Sequence, residues 1–302
     1  MNVLVAGGTG FIGSVLCRVL HERGHDVVAM SRNPNAGSVA DGVSVVHGDV
    51  TNPETLEEPV AGMDAVVNLV SLSPLFQTPR GVSHQSVHTD GTANLVAAAT
   101  AAGVERLVQI SGLGADPDGP TAFIRSKGEA EAIVRDSSLE WVIVRPSVVF
   151  GDGEEFTPFV AKTTTPYVTA LPAGGRTRFQ PIWVEDIVPL IADCVDEERH
   201  AGETYEIGGP DRLTLADVTR MYYASRGQSV QIIPVPMALS KLGLTLAGPV
   251  PLVPFGREQA RALTFDNTTD ENAVEVFGVD PDDLRTLESY LTERTERETV
   301  SP

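Results

Sequence analysis

Apolar and polar positions follow one rhythm up to about residue 150 of this chain and another beyond it. In the first part, short apolar runs suited to strands buried on both faces are separated by stretches whose apolar residues recur every three to four positions. Strands are predicted at Val3–Ala6, Asp26–Met30, Val43–Val46, Ala65–Val70, Arg106–Ile110 and Trp141–Val144, with helices at Phe11–Arg23, Gly91–Ala102 and Ile124–Arg135. Alternating strands and helices make a parallel sheet covered on both faces, an α/β fold. Beyond Phe150 many Pro, Gly and Thr residues break the pattern, although Val184–Cys194 and Leu215–Arg226 keep helical spacing. The pattern therefore predicts a core over 1–150 and a smaller, irregular C-terminal lobe over 151–302, with elements that return to the core. The polar end, Glu293–Pro302, is expected to fray.

Chemistry enters at the first strand-to-helix turn. Residues Asn2 to Gly13 read NVLVAGGTGFIG, so glycines fall where the strand gives way to the helix. A dinucleotide-binding turn needs one glycine for the tight bend, one where the backbone approaches a pyrophosphate, and one where the helix packs close to the sheet. Gly7, Gly10 and Gly13 fit these roles, and Gly8, Gly10 and Gly13 fit the spacing as well. The pyrophosphate would meet unpaired N–H groups at the helix N-terminus. With the following helix and the second strand at Asp26–Met30, the fold is expected to be a Rossmann-type doubly wound sheet, its irregular lobe on the substrate side.

Composition narrows the partners. A formal net charge of −19 gives no basic footprint for nucleic acid. Only Lys127, Lys162 and Lys241 among the 22 Lys and Arg residues are lysines, while 41 acidic residues spread along the chain. That balance resembles the hydrated acidic surface of a protein from a halophilic organism. Cys17 and Cys194 both fall on helical patterns and read as buried free thiols, with no metal-ligand spacing around them. No secretory signal is visible, so a cytoplasmic location is expected. The apolar stretch Leu242–Phe255 is too short and too rich in proline to span a membrane. It reads either as core of the second lobe or as a patch that docks on a partner or on the inner face of a membrane.

Taken in order, several segments resemble the short-chain dehydrogenase/reductase superfamily in its extended and atypical branches. They are AGGTGFIG (Ala6–Gly13), GDVTNPETL (Gly48–Leu56), VVNLVS (Val66–Ser71), DGTANLVAAA (Asp90–Ala99), QISGLGA (Gln109–Ala115), SKGEAE (Ser126–Glu131) and RPSVVFGDG (Arg145–Gly153). FQPIWVEDIV (Phe179–Val188) and YEIGGPD (Tyr205–Asp211) extend the likeness into the second lobe. Within the superfamily the chain is most similar to the nucleotide-binding accessory subunit of respiratory complex I and its prokaryotic relatives. The resemblance implies a nucleotide site formed by Gly7, Thr9, Gly10, Phe11, Ile12, Gly13, Ser31, Arg32, Asp49, Val50, Leu69, Val70, Ser71, Lys127, Pro146 and Val149.

Cofactor choice follows from charge. A carboxylate at the end of the second strand binds both ribose hydroxyls of NAD, whereas a 2′-phosphate needs a cation there. This chain has Ser31 and Arg32, so NADP(H) is expected over NAD(H), unless Arg32 is simply a solvated arginine. Asp49 would face the adenine, or cap its own turn.

The resemblance breaks at the chemistry. In active members a tyrosine four residues before a lysine moves the proton, the lysine lowers the phenol's pKa and binds the nicotinamide ribose, and an upstream serine orients the carbonyl. Ser111 and Lys127 match two of these roles, but the tyrosine position holds Phe123. The five tyrosines, Tyr167, Tyr205, Tyr222, Tyr223 and Tyr290, all lie far from Lys127 in sequence. Losing a general acid costs on the order of 10²- to 10⁴-fold in rate. His84 and His88 read either as substitute proton sources or as ordinary hydrogen-bonded histidines. Three functions remain: an NADP(H)-dependent oxidoreductase acting on a small apolar quinone or conjugated carbonyl, a non-catalytic nucleotide-binding accessory protein of a membrane complex, and a nucleotide-sugar epimerase or dehydratase. The absent tyrosine weighs most against the third.

Overall fold

A computed structural model describes residues 1–34, 39–236, 261–262 and 264–300, with the side chain of residue 300 left out; the Leu242–Phe255 stretch lies outside the described residues. The chain divides into two compact units. The first holds Met1–Leu72, Thr78–Pro146 and Val184–Glu206, and the second holds Ser73–Gln77, Ser147–Trp183 and Ile207–Pro302.

Six strands of the first unit pair in parallel: β1 (Asn2–Ala6), β2 (Asp26–Ser31), β3 (Ser44–His47), β4 (Ala65–Asn68), β5 (Arg106–Ile110) and β6 (Glu140–Pro146). Their order across the sheet is 3-2-1-4-5-6, and a later strand, β11 (Thr204–Ile207), extends it beyond β6. This is the doubly wound Rossmann order, in which the direction of winding reverses between β1 and β4 and opens a crevice at their C-terminal ends. Val3, Leu4 and Val5 have no solvent exposure, which is why β1 reads as a continuous apolar run rather than an alternating one.

The helices cover both faces. On one, α2 (Glu57–Val60), α3 (Gly91–Ala102) and α4 (Ala122–Arg135) bury Val60, Leu95, Ala99 and Val134 against Leu4, Val66, Leu107 and Ile143. On the other, α1 (Phe11–Glu22) packs on α6 (Val184–Asp196), so that Val184–Glu206 belongs with the first unit despite its late place in the chain. Arg18 reaches Glu185 at 2.6 Å and Arg23 reaches both Asp193 and Asp196 at 2.8 Å, tying the two helices together. Cys17 and Cys194 are free and buried, and burial pushes both thiols up to about 12. Strand β4 stops at Asn68, two residues short of the expected end, because the Asn68 side chain accepts the Val70 N–H.

The second unit is built from short pieces: β7 (Val149–Phe150), α5 (Phe156–Thr163), β8 (Tyr167–Pro172), β9 (Arg178–Phe179), β10 (Ile182–Trp183), β12 (Leu213–Thr214), α7 (Leu215–Ala224) and β13 (Val230–Val235). Aromatic rings fill its core, including Phe150 against Tyr290 and Phe156 against Phe179. The chain end departs from the sequence expectation, because helix α8 runs Leu287–Val300 where fraying was predicted from Glu293. Leu287, Tyr290 and Leu291 bury one side of it, the Tyr290 hydroxyl donates to Asp152 at 2.9 Å, and Arg297 pairs with Asp152 at 3.1 Å. A polar composition concealed the anchoring because the partners lie far away in sequence. Among the described residues no helix is long and apolar enough to cross a membrane.

Candidate functional site

A cleft of about 250 Å³ opens at the C-terminal ends of β1 to β4 in the first unit. Its lining includes Gly7, Thr9, Gly10, Ser31, Arg32, Asp49, Val50, Leu69, Val70 and Ser71. The structure thus brings together ten residues proposed from sequence. Met30, Gly48, Thr51, Leu72 and Val87 also line it and were not anticipated. Met30 is the penultimate residue of β2 and Gly48 follows β3, and that both face one cleft is legible only once strand register is known. Phe11, Ile12, Gly13, Lys127 and Pro146 lie outside that lining, and Val149 belongs to the second unit.

The loop geometry separates the glycines by task. Gly7 has φ +85°, a conformation that L side chains resist, and its N–H donates to the Met30 carbonyl at 2.9 Å. A Cβ on Gly13 would sit 2.2 Å from the Gly7 oxygen, so only glycine lets α1 approach the loop. A Cβ on Gly8 would meet the Ala29 Cβ at 2.6 Å. Gly7 therefore makes the tight turn and Gly13 lets α1 pack close, while Gly8 is held by packing on β2. Gly10 is the N-cap of α1 with no side chain capping it, which leaves the helix N-terminus for an anion.

At the far end of the cleft, Thr9 donates to the Ser31 hydroxyl at 2.9 Å, fixing the loop against β2. Arg32 is exposed, and no carboxylate among the described residues pairs with its guanidinium. Asp49 lines the cleft, yet its carboxylate already accepts the Thr51 N–H at 2.9 Å and the Thr51 hydroxyl at 2.8 Å, so it also caps its own turn.

Helix α4 carries Phe123 and Lys127. Thr121 caps its N-terminus by accepting the Ile124 N–H. Lys127 is 2% exposed rather than solvated, and its ammonium donates to the Ile110 carbonyl at 3.0 Å. Burial lowers its pKa from 10.5 to about 8, with nearby Glu131 opposing the shift. Glu131 is itself buried and takes a two-point clasp from Arg145, at 2.8 Å from Nε and 2.7 Å from Nη2. Ser111 follows β5, its N–H donating to Val144, and its buried hydroxyl has no hydrogen-bond partner among the described residues. Phe123 lies with its ring centroid 5.9 Å from the Lys127 ammonium and packs edge-on against His84 and His88. His88 is buried, and burial, Lys127 and His84 together lower its pKa to about 2. A ring held neutral in this way is a poor proton source.

The sheet order, the glycine loop and the cleft define a dinucleotide-binding Rossmann protein. The chain belongs to the NAD(P)H-binding family, whose model matches residues 7–170. It is similar to the mitochondrial NADH dehydrogenase [ubiquinone] 1 alpha subcomplex subunit 9 of Arabidopsis thaliana, with 26% identity over 91% of this chain and 73% of that protein. It is also similar to the NAD(P)H azoreductase of Xenophilus azovorans, with 28% identity over 82% of this chain and 81% of the other. Among solved structures, the Thermus thermophilus UDP-glucose 4-epimerase in complex with NAD superposes with a TM-score of 0.73 over the full length of both chains, at 20% identity. That last likeness concerns the fold alone.

Proposed function

We propose that this protein binds NADP(H) in preference to NAD(H) and reduces a small apolar acceptor, such as a quinone or a conjugated carbonyl. The observation that carries this reading is the buried pair Ser111 and Lys127 kept beside Phe123. Burying an ammonium and an unpaired hydroxyl is unfavourable unless a ligand uses them. The bound cofactor supplies the hydride. Lys127 would hold the nicotinamide ribose with its remaining N–H donors, and Ser111 would orient the acceptor oxygen. Phe123 offers an apolar surface and no proton, so the acceptor must tolerate slow or solvent-supplied protonation, as conjugated acceptors do. Arg32 beside Ser31, with no paired carboxylate among the described residues, supports the 2′-phosphate of NADP(H). The likeness to the NAD(P)H azoreductase supports a reductase reading.

Absorbance of bound NADPH, followed anaerobically in molar KCl while quinones, enones and simple carbonyls are added, tests the reading. Oxidation above the protein-free rate makes the protein an enzyme and names its acceptor class. Binding without oxidation by any of them shifts the reading to a nucleotide-binding accessory role, favoured by Phe123 and by the likeness to the complex I subunit. Co-sedimentation with a membrane fraction then tests that role, and a protein that stays wholly in the supernatant argues against it. The acidic surface is read as an adaptation to high salt in the cytoplasm, to be checked by a thermal melt that rises with KCl.

A further inference from the structure

His88 is buried between Leu72 and Ser126, yet the proposed chemistry leaves it without a task. It sits on a single π-helical turn, Gln85–Asp90, that leads into α3. Such turns recur at functional sites. The backbone N–H of Leu72 donates to His88 Nε2 at 2.9 Å. A backbone amide can only donate, so Nε2 must be the unprotonated nitrogen. In the neutral ring the proton is then on Nδ1, which donates to Ser126 Oγ at 2.9 Å. Ser126 Oγ donates in turn to the Phe123 carbonyl, also at 2.9 Å. The Ser71 hydroxyl lies 3.3 Å from Nε2.

The two ends of this chain of hydrogen bonds are significant. Ser71 and Leu72 line the nucleotide cleft, while Ser126 and Phe123 belong to the helix that carries Lys127. The charged or titratable groups facing the ring are Lys127 on α4 and His84 at the start of the turn, and with burial both disfavour the imidazolium. An imidazolium would have no lone pair for Leu72.

We infer that His88 is a positioning residue: a neutral, Nδ1-protonated imidazole that holds the Ser71–Leu72 wall of the nucleotide cleft in register with the helix bearing Phe123 and Lys127. The inference rests on the nucleotide reading of that cleft. It separates the two ring nitrogens by task, because the Leu72 bond shapes the cleft while the Ser126 bond ties into the helix. A glutamine amide reaches the place of Nε2, and an asparagine amide reaches only the place of Nδ1.

The test uses the full-length protein, with nitrogen-15 NMR of the histidines near pH 6 and NADPH titrations followed by nucleotide fluorescence well below the melting temperature. His88 should show the neutral Nδ1–H tautomer. His88→Phe should weaken NADPH about tenfold by leaving the Leu72 amide unpaired. His88→Gln should restore affinity to within about twofold, and His88→Asn should not. A purely structural role would lower stability in all three without ordering their affinities in this way. If His88→Phe does not fold, the contrast between the glutamine and asparagine variants decides. An Nε2–H tautomer, an imidazolium near pH 6, or three variants of wild-type affinity would overturn the inference alone. A wild-type protein that binds neither NADPH nor NADH would overturn the nucleotide reading and this inference with it.

Discussion

The glycine-loop end and the Ser111–Lys127 end of the first unit are built by opposite means. The cleft at the ends of β1 to β4 is made of backbone: a positive φ at Gly7, a close approach at Gly13 and an open helix N-terminus at Gly10. The Ser111, Phe123 and Lys127 region is made of buried side chains whose properties come from their surroundings. Backbone sites tolerate almost no substitution but accept any ligand with the right phosphate shape. Side-chain sites can change one member, here with Phe123 between Ser111 and Lys127, and keep the remaining geometry.

The contrast breaks most sharply at Gly13. Gly13→Ala should drive its methyl into the Gly7 carbonyl, 2.2 Å from an ideal Cβ, and cost about 3 kcal/mol of stability with loss of measurable nucleotide binding. Calorimetric titration with NADPH checks it, and unchanged affinity would mean that the loop does not form the site. At the chemistry end the largest effect should be a gain. Phe123→Tyr restores a phenol near the Lys127 ammonium, and simple carbonyl reduction should rise on the order of 10²-fold. Steady-state assays with aldehydes and ketones would show it, and no rise would place the defect elsewhere than the missing proton donor.

Lys127 sharpens the contrast through pH. Its pKa is lowered on folding from 10.5 to about 8, so the unfolded chain binds more protons between those values. Its contribution to stability is therefore unfavourable below pH 8 and is relieved as the pH rises toward 10.5, by about 3 kcal/mol. Urea unfolding of the wild type and Lys127→Met across that range, without nucleotide, should show the variant's advantage shrinking as pH rises. A gap that stays constant would mean that the ammonium is not desolvated. The smallest effect is expected at the exposed rim, where Arg32→Ala should reduce the preference for NADPH over NADH about tenfold. Paired titrations with the two nucleotides would reveal it, and an unaltered ratio would leave Arg32 a solvated arginine.

Much of the nucleotide end was legible before any coordinates. The run Val3–Val5 and the spacing of Gly7, Gly10 and Gly13 report local requirements, and local requirements leave local marks. Of the added wall residues, Gly48 and Thr51 stood in the GDVTNPETL segment, whereas Met30, Leu72 and Val87 left no such mark, because they meet only when β2, the end of β4 and the Gln85–Asp90 turn lie side by side. The helical C-terminus was hidden for the same reason, since Asp152 anchors Tyr290 and Arg297 from well over a hundred residues away.

Lys127 shows where the division falls. Its identity and its distance from Phe123 and Ser111 were plain in the sequence, as was the loss of the tyrosine. Its burial, its hold on the Ile110 carbonyl and the neutral His88 nearby came only with the fold. Sequence by itself determined the strand and helix order and the glycine loop, because hydrophobic spacing and backbone permissiveness act over a few neighbouring residues. Only the tertiary structure decided which polar groups are dry and which of them touch, because desolvation and hydrogen bonding depend on whatever the packed chain brings alongside.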